Sequence, residues 1–323
     1  MRWIARLGLL IASLAALPAA TAMAQDYPSK PVRIVVPFGP GGPADVYARF
    51  LGAELSESLK QPFVIENRPG GGAVIGTDIV AKAAPDGHTL LMMSNTHTTN
   101  ETLLANKPYA LMRDLAPVAP VNSSDLVMVV HPAVAATDLK AFIALAKAQP
   151  GKLSYASSGP GTPYHMAGEL FKAMSGTDIL HVPHRGSGEA RSSVYGGHVP
   201  MMIDAVTAMA GPIAGGQVRA LATTGQTRSA VLASVPTMAE AGLPGYDATI
   251  WLGIMAPAGT PPAVVAKLNA AIAAIIARPA VAEAWAKQGA VPMTMDAAAF
   301  GAFLQRDIEK WAKVIAVSGA KAQ

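Results

Sequence analysis

From residue 32 onward, short apolar runs alternate with longer stretches whose apolar residues recur every three or four positions. Val32 to Val36 is a β-branched run stopped by Pro37, and it predicts a strand. Residues 44–59 follow with Val46, Phe50, Leu51 and Leu55 at helical spacing. Strands are expected at 63–66 and 89–93, with a helix at 73–84 between them. Parallel neighbours need a crossover, so this β-α-β-α-β order implies a parallel sheet with helices on both faces. The rhythm then restarts. Strands are expected at 126–130, 153–156, 179–182 and 199–203, and helices at 138–148, 163–175 and 188–195. Thr137 caps the first of these helices. Thr162-Pro163 opens the second as cap and first-turn proline, and Gly176 closes it. Residues 114–121 are expected to cross between the two units. Strands at 218–224 and 251–256 and helices at 261–277, 280–287 and 296–317 end the chain, with Thr260-Pro261 as a further cap-plus-proline start. These late elements are expected to return to the first unit. The lobes are then 25–125 plus 218–323, and 126–217, with boundaries known to about 15 residues. Two α/β lobes joined by crossing strands enclose a cleft, the usual seat of a small ligand.

The first 24 residues have another character. Arg2 and Arg6 precede an apolar run from Leu7 to Leu17, and Ala22-Met23-Ala24 offers a small-x-small cleavage pattern before Gln25. This reads as a secretory signal peptide. A membrane anchor is the alternative, but the run is about 11 residues and a spanning helix needs about 20. Later, Ala271 to Ile276 is apolar yet closely bracketed by Lys267, Asn269 and Arg278. Removing the leader leaves about 299 residues, enough for one large or two medium domains, with a small positive charge. No basic stripe runs along the chain, so nucleic acid is not an expected partner. There is no cysteine, which excludes thiol catalysis and thiolate metal sites. An exported chain without disulfides must be held by its core.

Chemistry concentrates in the turns. Phe38-Gly39-Pro40-Gly41-Gly42-Pro43 joins the first strand to the first helix. Glycine lets backbone N–H groups approach a ligand, and the helix start is positive, which favours a carboxylate or phosphate. A tight turn that binds nothing is the bland alternative. Gly39-x-Gly41-x-x-Ala44 with Glu66 also matches a dinucleotide fingerprint, but the prolines are foreign to it and an exported compartment rarely supplies nicotinamide cofactors. The second unit repeats the design in Ser157-Ser158-Gly159-Pro160-Gly161-Thr162. Ser157 or Ser158 as a nucleophile is a rival reading. It lacks a Gly-x-Ser-x-Gly elbow, and no His follows Asp204 to complete the chain order. His181 and His184 flank Val182-Pro183, a poor metal spacing because Pro183 prevents a regular helix. No metal is expected, and no cofactor. His165 either meets ligand or packs. Asp204 ends an apolar strand where α/β sheets bind ligands. An unpaired buried carboxylate is costly, so it needs a donor: a ligand ammonium, a water or a backbone N–H.

Seven segments together resemble one family. They are Val35-Val36-Pro37-Phe38-x-x-Gly41-Gly42-x-x-Asp45, Glu66-Asn67-Arg68-Pro69-Gly70, Ala83-Ala84-Pro85-Asp86-Gly87-His88-Thr89-Leu90, Tyr155-Ala156-Ser157-Ser158-Gly159, His181-Val182-Pro183, Pro236-Thr237-Met238-Ala239-Glu240-Ala241-Gly242 and Ala256-Pro257-Ala258-Gly259-Thr260-Pro261. In this order they resemble the Bug family, the substrate-binding proteins of tripartite tricarboxylate transporters. The resemblance spans the chain after its leader. It implies an α/β two-lobe periplasmic binding protein of type II, a Venus flytrap with its ligand cleft between the lobes, and no catalysis. It implies a small carboxylated or related polar solute, held by Phe38, Gly39, Gly41, Gly42, Asn95 and Thr96 from one lobe. Ser157, Ser158, Thr162 and Asp204 would face it from the other. A monomer is expected, in transient contact with a membrane permease of one large and one small subunit. A sensor passing ligand occupancy to a membrane receptor needs the same closure. Where the family commonly has Val-Pro-Tyr-Lys-Gly, this chain has Val182-Pro183-His184-Arg185-Gly186. Arg185 therefore joins the candidates, as a bidentate carboxylate partner or as half of a surface ion pair. The polar segment from Ser94 to Asn100 reads as a loop, either ligand-reading or simply capped.

Overall fold

A computed structural model describes residues 27–104 and 106–321. The leader segment 1–24 and its cleavage point lie outside the described residues. In chain order the elements are β1 (Val32–Val36), α1 (Pro43–Leu59), β2 (Phe63–Asn67), α2 (Val74–Ala81), β3 (Thr89–Ser94), α3 (Asn95–Leu103), α4 (Leu111–Asp114), β4 (Leu115–Val130) and α5 (Leu139–Ala148). There follow β5 (Ser154–Ser157), α6 (Pro163–Ser175), β6 (Leu180–Pro183), α7 (Ser187–Tyr195), β7 (Met201–Ala205), α8 (Val206–Ala214) and β8 (Arg219–Thr223). The chain ends with β9 (Thr249–Pro257), α9 (Pro262–Ile276), α10 (Pro279–Ala286), β10 (Ala290–Pro292) and α11 (Ala297–Ser318).

The strands run in the order β2-β1-β3-β9-β4-β7-β5-β6, with β8 and β10 also on β4. The two ends of this order are built alike. In the first half β1 lies between β2 and β3, parallel to both. In the second, β5 lies between β6 and β7, again parallel to both. Each half therefore reverses its winding beside its central strand, and the crevice at such a reversal is where open α/β sheets hold ligands. The reversal falls between β1 and β3 in one half and between β5 and β7 in the other.

The halves meet through β4 and β9, which pair antiparallel from Leu115–Pro257 to Asp125–Thr249. Beyond Asp125, β4 continues into the second half and pairs with β7 and β8. The sequence pattern broke this strand in two, a crossing segment and a strand at 126–130, because Pro117 and Pro120 interrupt it. The register shifts at both prolines, so the missing N–H donors are absorbed by irregularities in the ladder. The antiparallel pairings of β4, β8, β9 and β10 were likewise not legible from periodicity.

Each half has its own core. Leu51, Leu55, Leu90, Leu268 and Ile272 pack in the first. Phe142, Tyr155, Phe171, Tyr246 and Trp311 pack in the second. The last helix serves both: Phe300 and Leu304 join Val35 and Met93 of the first half, whereas Trp311 and Ile315 belong to the second. The caps differ in detail from the sequence reading. Asp138, not Thr137, caps α5 by accepting from Ala141 N–H, and Pro261 rather than Thr260 holds the cap position of α9. Thr162 and Gly176 delimit α6 as expected, Gly176 taking a φ of 63°.

The expected loop at 94–100 is helix α3. Ser94 accepts from Thr96 N–H and a capping box with His97 closes the start. Asn and Thr are weak helix formers, but here the polar side chains from Asn95 to Asn100 are buried and most find partners. Thr98 Oγ1 donates to Asp307 at 2.6 Å, His97 Nε2 lies 3.0 Å from Thr77 Oγ1, and Asn100 Nδ2 donates to Gly72 O at 2.7 Å. Tertiary contacts overrule the propensity.

Candidate functional site

The carboxyl ends of β1, β3, β5 and β6 open onto one cavity of about 440 Å³. Its first wall is the turn from Phe38 to Ala44, with Ser94 and Thr96 at the start of α3. Its second wall is Ser158, Thr162, Pro163 and Tyr164 at the start of α6, and Arg185, Gly186, Ser187, Gly188 and Arg191 around the start of α7. Ile250 and Leu252 of β9 form the floor. Eight expected residues line it: Phe38, Gly39, Gly41, Gly42, Thr96, Ser158, Thr162 and Arg185.

The glycine turn is braced from behind. Asp45, in the first turn of α1 and 4% exposed, accepts Gly41 N–H at 2.9 Å, Arg49 Nε at 3.1 Å and Asn67 Nδ2 at 2.9 Å. Asn67 also donates to Phe38 O at 3.1 Å. Burial would raise the Asp45 carboxyl, but these donors hold it below the usual carboxylate value. Gly41 takes a φ of 77°, a conformation open to glycine. Its N–H is spent on Asp45, so the turn's free donors lie at the helix start. Gly42, the α1 cap, has no side-chain cap bond, and the same holds for Gly186 before α7. At each start the first-turn acid accepts from the residue before the cap, Asp45 from Gly41 N–H and Glu189 from Arg185 N–H at 3.1 Å, which leaves the first-turn N–H groups themselves without a side-chain acceptor, a seat for an anion.

Three expected residues sit behind the walls. Asn95 Nδ2 donates to Thr249 O at 3.0 Å. Ser157 is fully buried and its Oγ lies 2.6 Å from His181 Nε2. Asp204 is fully buried beneath the second wall. Its donors prove to be Arg191, with Nε at 2.6 Å and Nη2 at 3.3 Å, and Ala205 N–H at 2.7 Å. Burial still pushes the Asp204 carboxyl above the ordinary carboxylate value against the pull of Arg191. Sequence reasoning missed Arg191, because the pair spans β7 and α7 and no local spacing announces it. It also missed Tyr164. Position N2 after Thr162-Pro163 was the available signal. Tyr164 Oη and Thr96 Oγ1 are buried without a hydrogen-bond partner, one on each wall.

The rival readings fare differently. Glu66 is occupied by Arg33 at 3.1 Å and Arg68 at 2.6 Å, so it does not stand ready for a ribose. Ser157 and His181 do form a close Ser–His pair. The His181 ring, however, stacks on Tyr155 at 4.9 Å and on His165 at 4.1 Å. Burial pushes its pKa down to about 3, far from what a general base needs near neutral pH. Ser157 does not reach the cavity. His165, 2% exposed, accepts Gly161 N–H at 3.1 Å and supports the second turn from beneath. His184 Nδ1 turns to Val182 O at 3.1 Å, so the two histidines around Pro183 point to different partners.

The family model of the tripartite tricarboxylate transporter family receptor matches residues 47–319. Protein BugT of Bordetella pertussis is 40% identical over 322 residues, covering 99% of this chain and 98% of that protein. Among solved structures, R. palustris Rpa4515 with adipate superposes with a TM-score of 0.86 at 32% identity, covering 92% of this chain and 100% of that one. The periplasmic binding protein BugD superposes with a TM-score of 0.83 at 32% identity, with the same coverage of both chains.

Proposed function

The chain belongs to the tripartite tricarboxylate transporter receptor family, and on that premise we propose that it captures a small carboxylated solute in the cavity between its two halves. Members of this family are periplasmic substrate-binding proteins rather than enzymes. The observation that carries the reading is the cavity wall itself. Two uncapped helix starts and the Arg185 guanidinium meet there, and no acidic side chain lines it among the described residues. A carboxylate placed at such a helix start gains about 0.3–1 kcal/mol from the dipole, and a charge-assisted bond to arginine adds about 1.5–3 kcal/mol. The adipate held by a relative of the same fold is consistent with this chemistry.

In this proposal Phe38, Gly39, Gly42, Thr96, Ser158, Thr162 and Arg185 touch the solute. Gly41, Asn95, Ser157 and Asp204 act one layer back by holding the walls. The lobes move on β4 near Asp125 and on the chain between β8 and β9, closing on the solute. The mature protein begins at Gln25 in the periplasm and passes its cargo to a permease of one large and one small subunit. Thermal denaturation with adipate, malate, succinate, citrate and nicotinate tests solute capture. A bound acid at 100 times its dissociation constant should add about 2.7 kcal/mol of stability. A melting curve unmoved by every acid speaks against the reading.

A further inference from the structure

We propose that His165 is a positioning residue of the solute site: it holds the second turn as an acid would, while keeping negative charge away from the start of α6. This rests on the solute-capture reading and deepens it. The starts of α1, α6 and α7 all line the cavity, and all three are braced in one way. The side chain at the third helical position reaches back to the N–H of the residue before the cap, four positions earlier. Asp45 accepts Gly41 N–H at 2.9 Å, and Glu189 accepts Arg185 N–H at 3.1 Å. His165 Nδ1 accepts Gly161 N–H at 3.1 Å. Two of the braces are carboxylates and the third is an imidazole.

The ring has to be neutral to do this. Nδ1 accepts only without a proton, so the single proton sits on Nε2. Nε2 faces Glu169 Oε1 at 4.0 Å. That carboxylate is paired with Lys172 Nζ at 2.9 Å and takes Tyr155 Oη at 2.6 Å. One face of the ring stacks on His181 at 4.1 Å, and His181 Nε2 lies 2.6 Å from Ser157 Oγ. Ser157 Oγ accepts Gly159 N–H at 3.1 Å. The two imidazoles therefore hold both glycine N–H groups of the turn, one directly and one through Ser157, and Ser158 and Thr162 of that turn line the cavity. Burial and then the Lys172 charge push His165 down to about 4, so the ring is uncharged at pH 7. An acid at the third position, as in α1 and α7, cancels part of the positive charge of its helix start. Histidine leaves that of α6 intact.

Calorimetric titration at pH 7 with adipate, malate, succinate, citrate and nicotinate tests this on the wild type and on variants of His165. His165→Leu removes the acceptor and should weaken whichever acid the wild type binds by about tenfold. His165→Asn returns an acceptor oxygen without charge and should recover most of that loss. His165→Asp returns the same oxygen with a charge, and should bind more weakly than His165→Asn by about tenfold or more. A packing role alone predicts that Asn and Asp, of one size, bind alike. Melting curves of each preparation separate lost binding from lost folding. Should the Leu or Asp variant fail to fold, long-range proton–nitrogen correlation spectra of the wild type decide. They are expected to show His165 with its proton on Nε2, and a proton on Nδ1 overturns the brace. Equal affinity in the wild type and folded His165→Leu, no recovery in His165→Asn, or equal affinity in His165→Asn and His165→Asp overturns the inference and leaves solute capture standing. A wild type that binds none of the acids overturns solute capture, and the inference with it.

Discussion

Arg185 and Arg191 lie on the same wall and do different work. Arg191 is bound to a buried acid, whereas Arg185 is exposed and unpaired among the described residues. Arg185→Gln should therefore weaken carboxylate binding by about 1.5–3 kcal/mol and leave the melting temperature unchanged, as calorimetry and thermal denaturation of the same preparations would report. Arg191→Met should do the opposite. It strands Asp204, and breaking such a buried pair costs about 3–5 kcal/mol. Because burial already raises the Asp204 carboxyl, protonation relieves the damage. The variant should be least stable, relative to wild type, at neutral pH, and should recover toward wild type as the pH falls. Denaturant titrations across that range check the sign.

The turns and both ends of α6 were the most legible elements, because their chemistry is local, whereas the caps read at Thr137 and Thr260 lay one residue early. Thr162-Pro163, Gly176 and the glycine turn each announce a backbone conformation within four residues. Gly42 shows how far this extends. A side chain there would meet nothing closer than Gly39 O at 3.8 Å, so Gly42→Val should fold with a near-native melting temperature while filling the solute's place and abolishing binding. Preserved affinity in that variant would remove the turn from the site. Elements whose identity depends on distant partners were illegible. Helix α3 hides behind Asn and Thr, and its polar side chains are buried because Thr77, Asp307 and Gly72 arrive from elsewhere. Strand β4 hides behind two prolines that its irregular register accommodates. The Arg191–Asp204 pair hides for the same reason, joining a helix to a strand through the fold.

At the scale of the molecule, two halves of like winding present their reversal crevices to one cavity, and β4 and β9 tie them together. Their common support includes buried histidines. Burial lowers His97 and His165 to about 4 and His181 to about 3, against about 6.5 when unfolded. The unfolded chain takes up protons that the folded chain refuses, so this stability is present above pH 6.5 and is lost as pH falls toward 4. Asp125 and Asp307, raised by burial to about 6, and Asp204, raised by burial as well, offset part of the loss below pH 6. Stability should fall by about 1–3 kcal/mol between pH 7 and pH 5, measurable by denaturant titration, and His181→Gln should flatten the slope.

The central claim is that the cavity between the halves holds a small carboxylated solute. Native mass spectrometry of the protein isolated from its own cell envelope tests it most directly. The predicted result is a complex with one small carboxylic acid, released on gentle activation and absent from the Gly42→Val variant isolated in the same way. A protein recovered only with a compound that carries no carboxylate, or a complex that survives Gly42→Val, would contradict the account.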